Sequence, residues 1–503
     1  MSMDDQPRAR RGAIEPEADD TAMLQLTGVP AAKSGNGTSA KPEGAKPEGA
    51  KPEGAKPEGA KEAGAPTGKA RHGDGFAGKL LRVVEMLLAA AVVAAGVYLV
   101  GLLPTAQSSP APQDTVTSST LYCPGIDDVS GTVTGAADSG GHLQPVGSAA
   151  LAGGSLLQQP VTGVSTLSGV GSVAGMAEFS QPGKSAAAAC TSPMSTGYLQ
   201  AGTANSTLML SNVDADNAIL NVALLAPSGE IAPPDLIDLT VPAGTVKEIP
   251  LSTYASGVSP LAVRWQSTVG RVVAWIVTND PSGLDLVSPT RSGDEVVVPG
   301  VPGGATVKLL LTNPATVRVQ VRVDALTSQG RLTIAGAEQV TIEAGSTTSV
   351  DLTSTFSSDP AGLIVTSDQP VVASAWVTVG SDTATSPGLP VGQSAGLDSF
   401  GVTPDRGQLL ISNAGENTTS AVVTFTPKGG TAAKQTVQLP AGVTASVALP
   451  SAGLIRVSGG PGIVAAVVAQ PGGDGANGTS IVTLPSDTAR AGLTPIWVEG
   501  QPL

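Results

Sequence analysis

Few of the 503 residues are of a kind that does chemistry. The chain has two histidines, and only His142 lies beyond the long apolar run at 83–103. A lone imidazole excludes a two-His metal site and leaves one candidate for a Ser–His pair. His142 sits in Gly-Gly-His-Leu, a flexible context that reads as an exposed loop histidine. Paired carboxylates could do the acid/base work of a glycosidase. The candidates Asp127, Asp128, Glu178, Asp285 and Asp398 have no recognisable spacing, and aromatic residues for sugar subsites are scarce at 3%. Asp214-Ala215-Asp216-Asn217 invites a calcium reading, but a loop of the EF-hand kind needs oxygen at its fifth position and glycine at its sixth. Ala218 and Ile219 stand there, so a polar hairpin turn is expected. Gly459-Gly460 with Gly462 precedes a strand-like run and not a helix, which is wrong for a phosphate cradle. No catalytic, cofactor-binding or metal residue is assigned, and the chain does not read as an enzyme.

The elements that would hold such residues begin with residues 83–103, VVEMLLAAAVVAAGVYLVGLL, stopped by Pro104. At about 1.5 Å per residue the run spans roughly 31 Å, the thickness of a bilayer core. Lys69, Arg71, Lys79 and Arg82 flank it on the N-terminal side, and no Lys or Arg follows until Lys184. The positive-inside rule then puts the N-terminus in the cytoplasm and residues 104–503 outside. A cleaved signal peptide fits poorly, because the leading region is too long and no A-x-A site follows Leu103. We read 79–104 as a single-pass signal anchor of the cell membrane, with the bilayer contacted through 83–103.

Residues 1–78 lack apolar periodicity and carry four KPEGA copies from Lys41 to Ala60, so they read as a disordered cytoplasmic tail. Residues 105–120 form a Ser/Thr/Pro stalk. The net charge of −14 is uneven. Residues 1–82 hold 13 basic against 12 acidic residues, and the remainder holds 14 against 29. Such an acidic surface opposes nucleic-acid binding, which requires phosphate-neutralising cations. Cys123 and Cys190, both on the exported side, read as a disulfide, with two free thiols as the alternative.

An internal repeat of about 100 residues decides the architecture. It opens on Leu208-Met209-Leu210-Ser211-Asn212, Leu309-Leu310-Leu311-Thr312-Asn313 and Leu409-Leu410-Ile411-Ser412-Asn413. Each opening leads to a strand-like run, then a turn containing Gly244, Gly345 or Gly442, a short strand, and a Val-rich run. The Val-rich runs carry Trp275, Trp376 and, in the third copy, Val467. The first two Trp residues each follow their Asn by 63 positions. Strict alternation in Val317–Val323 puts valines on one face of a strand and Arg/Gln on the other. A sheet with one apolar face must cover it, so each copy pairs two sheets around a thin core. The expected fold is mostly β: tandem Ig-like antiparallel β-sandwich modules, three full repeats at 204–300, 301–402 and 403–503 plus a partial one at 121–203. About 100 residues suits a seven-strand sandwich, whereas a propeller blade is about half that length. Trp275 and Trp376 are expected in the cores, the glycines at positive φ, and the Asn residues capping turns.

The L-x-L-x-N openings, PAG-type turns and closing Val-rich strands resemble extracellular repeats of bacterial surface proteins. Those repeats are often introduced by a Trp-Tyr-Phe-Ala-Glu-Gly-like segment, of which Gly197–Gly202 (GYLQAG) is a loose counterpart. The layout of tail, one helix, Cys123-Pro124-Gly125, a second Cys and three repeats resembles the actinobacterial family called domain of unknown function 5719. The resemblance implies a cell-envelope protein, often encoded near a large membrane glycosyltransferase, and brings no catalytic residues. The leading expectation is an extracellular scaffold that binds an envelope protein or glycan. The others are a non-catalytic accessory subunit of a membrane glycosyltransferase and, last, a glycan hydrolase.

Overall fold

The computed structural model describes residues 119–145, 149–161, 163–356, 359–391, 397–469 and 478–484. The tail, the apolar run at 83–103 and nearly all of the stalk lie outside these. Among the described residues no helix is long and apolar enough to cross a membrane.

The described chain is antiparallel β throughout, apart from a helical turn at Ser252–Ala255 and a 3-10 turn at Pro234–Leu236. One eight-strand plan occurs four times. In module I the first sheet has the spatial order Ser119–Cys123, Ser165–Val170, His142–Gln144, Leu151–Ala152. The second has the order Leu156–Pro160, Gly131–Ala137, Val173–Gln181, Lys184–Ala189. Modules II, III and IV repeat both orders. In module III the strand Ala361–Val379 runs through both sheets and merges them. The segment read as a partial unit therefore carries the full strand plan. Its core is supplemented by a disulfide between Cys123 and Cys190, 67 residues apart and both buried.

Sheet pairing also moves every module start one strand upstream of the repeat. Thr196–Ala201 pairs with Leu261–Val269 and belongs to module II. Gly293–Val301 pairs within module III and Leu397–Thr403 within module IV. These first strands share no motif, whereas the second strands share Leu-x-Leu/Ile-x-Asn. The repeat was thus visible only from its second strand onward.

The motif residues have uniform roles. Asn212, Asn313 and Asn413 are fully buried. Each side-chain amide donates to the carbonyl four residues on, at 2.7–2.9 Å, and to a carbonyl at the end of a neighbouring strand. Each side-chain oxygen accepts the N–H two residues on, at 2.9–3.1 Å. The Asn thus replaces backbone partners that a turn cannot supply. Gly244, Gly345 and Gly442 have φ of 66°, 61° and 72°, the left-handed region that favours glycine.

Alternate residues of each inner-sheet strand face different partners. In module II, Leu208 and Leu210 enter the module's own core with Leu220, Leu224 and Trp265. Met209 and Trp275 face the other way, into a cluster with Leu121, Val133 and Phe179 of module I. Trp275 is buried but lies between modules, not inside one. Trp376 is half-buried on the same outer face, its ring against Gly202 of module II. Equal spacing from the Asn conceals a register difference: Trp275 pairs with Met209, three residues before its Asn, and Trp376 with Lys308, five before. Val467 points into its own core, so it matches neither Trp.

The modules close on one another. The last strand of each second sheet, namely Lys184–Ala189, Gly283–Val287, Asp382–Pro387 and Ser480–Leu484, contacts the next, and the fourth contacts the first. Asp382 of module III stands at this junction, fully buried. Its carboxylate accepts backbone N–H groups from Ser185 of module I (2.9 Å), Leu284 of module II (3.0 Å) and Thr479 of module IV (2.9 Å). A buried carboxylate without a cation is tolerable only when such donors replace its water. Burial still pushes its pKa up.

Candidate functional site

The closure between modules IV and I leaves a recess. Alternation along Val173–Gln181 puts Ala177 and Phe179 in the module I core and Ala174, Met176 and Glu178 on the outer face. Ala174 and Met176 pack with Phe400, Val402 and Leu454 of module IV. Two residues further along, the apolar contact stops and Glu178 stands at the start of a cleft of about 490 Å³.

Module I supplies one wall through Ser130, Thr132, Gln158, Glu178 and Ser185. Module IV supplies the other through the turn Pro404-Asp405-Arg406 and through Ser480 at the start of its last strand. Glu178 is half-buried and its pKa is pushed up to about 7, first by loss of water and then by the negative charge of Asp405. Near neutral pH its carboxyl can therefore donate a hydrogen bond, while the exposed Asp405 accepts. At the cleft floor Ser185 is 6% exposed, and its Oγ has no hydrogen-bond partner among the described residues. The backbone N–H of that serine binds Asp382. The cleft is thus continuous with the junction that joins all four modules.

The other carboxylates named from sequence do not assemble with Glu178. Asp127 and Asp128 are exposed on a turn. Asp285 is buried at the seam of modules II and III, where it accepts the N–H (3.2 Å) and the Oγ1–H (2.5 Å) of Thr385. Burial pushes its pKa up to about 6, partly offset by those hydrogen bonds. Asp398 is chelated by Arg456 at 2.8 and 2.9 Å. His142 is exposed, as expected, but on a strand paired with Ser165–Val170 instead of in a loop. In the candidate calcium loop, Asp214 accepts two hydrogen bonds from Arg271, at 2.9 and 3.2 Å, and the Asp216 carbonyl is taken by Asn212. That is the turn expected from sequence.

Three residues escaped the sequence reading. Asp405 and Arg406 lie in a short turn between the first two strands of module IV, where no motif marks them. Asp138 is the second kind of miss. The pairing of Ala137 with Val173 matches that of Ser211 with Val273, so Asp138 occupies in module I the place of the repeated Asn. One of its carboxylate oxygens is buried without a hydrogen-bond partner, and the other lies 3.8 Å from Arg456 of module IV. An Asx at the end of a strand was the available signal, but Gly-Ala-Ala-Asp lacks the leucines that mark the other copies.

A family model described as "Family of unknown function (DUF5719)" matches residues 149–450, which run from the middle of module I into module IV. No curated protein matches the chain.

Proposed function

The chain belongs to this family of unknown function, and on that premise we propose that it is a membrane-anchored cell-envelope interaction protein without an enzymatic role. Residues 83–103 hold it in the bilayer with the N-terminus cytoplasmic, and four tandem Ig-like sandwich modules stand outside. The observation that carries the reading is the Asp382 junction. One carboxylate draws backbone groups from three other modules, so the repeats act as a single rigid body and not as beads on a flexible string. A rigid body of this kind presents fixed surfaces at little ordering cost when a partner binds. The disulfide suits an oxidising compartment.

Two measurements test this. Protease added to intact cells removes residues 104–503 and spares the tail. Full-length protein extracted in mild detergent co-purifies stoichiometrically with an envelope protein or glycan, and Asp382→Ala weakens that association. A protease-protected ectodomain, or full-length protein that carries no companion, would sink the reading. A stoichiometric membrane glycosyltransferase as the companion would select the accessory role within it.

The cleft supports a second reading. Glu178 with a raised pKa beside Asp405 is the acid-and-carboxylate pairing that glycan hydrolysis uses. Release of reducing ends from envelope polysaccharide, abolished by Glu178→Gln, would establish it; equal release by the variant would remove it.

A further inference from the structure

We propose that the edge strand Ala433–Leu439 of module IV is a dimerisation surface, at which it adds antiparallel to the same strand of a second copy of this chain. The inference goes beyond the interaction reading and depends neither on a companion molecule nor on the membrane anchor.

The first support is the form of the strand. Among the described residues it pairs with Thr419–Pro427 on one side and ends its sheet on the other. A row of backbone N–H and C=O groups is therefore left open along that edge. The other modules fill the same place with short pieces. Module I has Leu151–Ala152, module II has Gly229–Ile231 and Leu239–Val241 around a 3-10 turn, and module III has Gly330–Thr333 and Val340–Ile342. In module IV the edge runs 7 residues without a break.

The second support is the lack of the devices that keep sheet edges apart, namely proline, bulges and charge. The edge strand Val246–Pro250 of module II carries Lys247, Glu248 and Pro250. Ala433–Leu439 has Lys434 as its one charged residue, no proline, and an unshifted register along its whole length. Val437 and Leu439 are anchored in the module core and hold the strand extended, while Lys434, Thr436 and Gln438 are exposed on the other face.

The third support identifies the occupant. In an antiparallel pair, a residue whose N–H and C=O point across the gap must face another of the same kind. A strand meeting its own copy satisfies this in registers centred on a residue, and centring on Thr436 pairs all 7 positions. Thr436 then lies opposite Thr436 of the second copy, and Lys434 lies opposite Gln438. No like charges meet, and a favourable Thr–Thr contact forms. About six to eight backbone hydrogen bonds result. Each copy uses up its edge in the contact, so growth stops at two.

The experiment uses the full-length chain in mild detergent, with its mass measured by light scattering after the detergent contribution is subtracted. The protein is expected to run at twice the chain mass. Thr436→Lys sets two ammonium groups against each other across the two-fold axis and is expected to run at the chain mass. Its circular-dichroism spectrum should be unchanged, because the Thr436 side chain is exposed. A second variant reads the register. The two native cysteines are joined in a disulfide, so Thr436→Cys adds the one reactive thiol. Directly opposite residues lie about 4.5–5.5 Å apart, within reach of a disulfide, and mild oxidation should convert Thr436→Cys to a covalent dimer. Gln438→Cys, roughly 13 Å from its own copy, should stay uncrosslinked. The chain mass for the unaltered protein overturns the proposal, as does persistence of the dimer in Thr436→Lys or equal crosslinking by the two cysteine variants. A strand of a different protein held at this edge also overturns it. The interaction and anchor readings survive each of these outcomes, because they are tested by companion molecules and by protease on cells.

Discussion

The seams between modules I and II and between modules II and III each use the outer face of the later module's second sheet, yet they are built from opposite chemistry. At the first, Met209, Val273, Trp275, Leu284 and Leu286 merge with the module I core into one apolar cluster that also holds both half-cystines. At the second, Gln200 of module II is 1% exposed and sits among hydroxyls. Its amide donates to Thr312 Oγ1 at 2.8 Å, and its carbonyl accepts from Ser374 at 2.7 Å. Asp285 and Thr385 add a second buried polar pair there. The difference teaches that the repeat specifies strands and turns, while the outward positions of each inner sheet decide how modules join. Apolar burial is strong and tolerant of small shifts; a hydrogen-bonded seam is weaker on balance but specifies one alignment.

Trp275→Ala should separate the two seams most sharply. Removing a fully buried indole leaves a cavity that the surrounding β strands cannot collapse, so a loss of about 3–5 kcal/mol is expected. Thermal unfolding of the full-length protein would show it. A loss below about 1 kcal/mol would mean that the I–II seam is not the apolar joint described here.

Gln200→Ala tests the polar seam. It strands the buried Ser374 hydroxyl and leaves Thr312 only its bond to Thr347 Oγ1 at 2.9 Å, and we expect a loss of about 1–3 kcal/mol, smaller than that of Trp275→Ala. Gln200→Leu, which fills the space but makes no hydrogen bonds, should do no better if the seam is specified by those bonds. A leucine variant as stable as the original would show that volume alone matters there.

The buried carboxylates add a pH dependence of definite sign. Asp285 and Glu178 have pKa values raised to about 6 and about 7, above their ordinary values near 4. Each therefore contributes stability that is fully present below pH ~4 and lost as pH rises through the folded value. The thermal midpoint should fall between pH 5 and pH 8. Asp285→Asn should flatten the part of that fall near pH 6, and Glu178→Gln the part near pH 7. A midpoint that rises across this window would contradict the assignment, since carboxylates with raised pKa values lower stability as pH rises.

Much of this architecture was legible in the sequence, and the gaps have physical causes. Strand and turn positions could be read because Leu-x-Leu/Ile-x-Asn and the positive-φ glycines are local requirements. Val319, Val321 and Val323 are inside and Gln320 and Arg322 outside, as the alternation predicts, but Val317 precedes the strand and is exposed, and Asp324, Ala325 and Leu326 are all buried. Closure could not be read, because it is set by outward residues that look like ordinary second-face positions. Asp382 belongs to no motif, and its importance lies in donors 98, 97 and 197 residues away. Glu178 was named among the carboxylates but could not be matched with Asp405, because their proximity depends on the last module returning to the first.

Trp376→Ala is the smallest of the expected effects and the one that bears most directly on the comparison. By sequence spacing the two tryptophans are equivalent. By register they are two residues apart, and the consequence is exposure: Trp376 is only half-buried, with its face against Gly202 and the Lys308 ammonium 5.4 Å from the ring centroid. At an exposed site such a cation–π contact contributes about 0.5–1 kcal/mol. The ring covers backbone instead of filling a core, so its removal leaves a surface notch that water can enter. We expect a loss of about 1 kcal/mol, roughly a quarter of that for Trp275→Ala, and unfolding melts of the two variants side by side would measure the ratio. Equal losses would mean that the 63-residue spacing, and not the sheet register, fixes what a tryptophan does in this repeat.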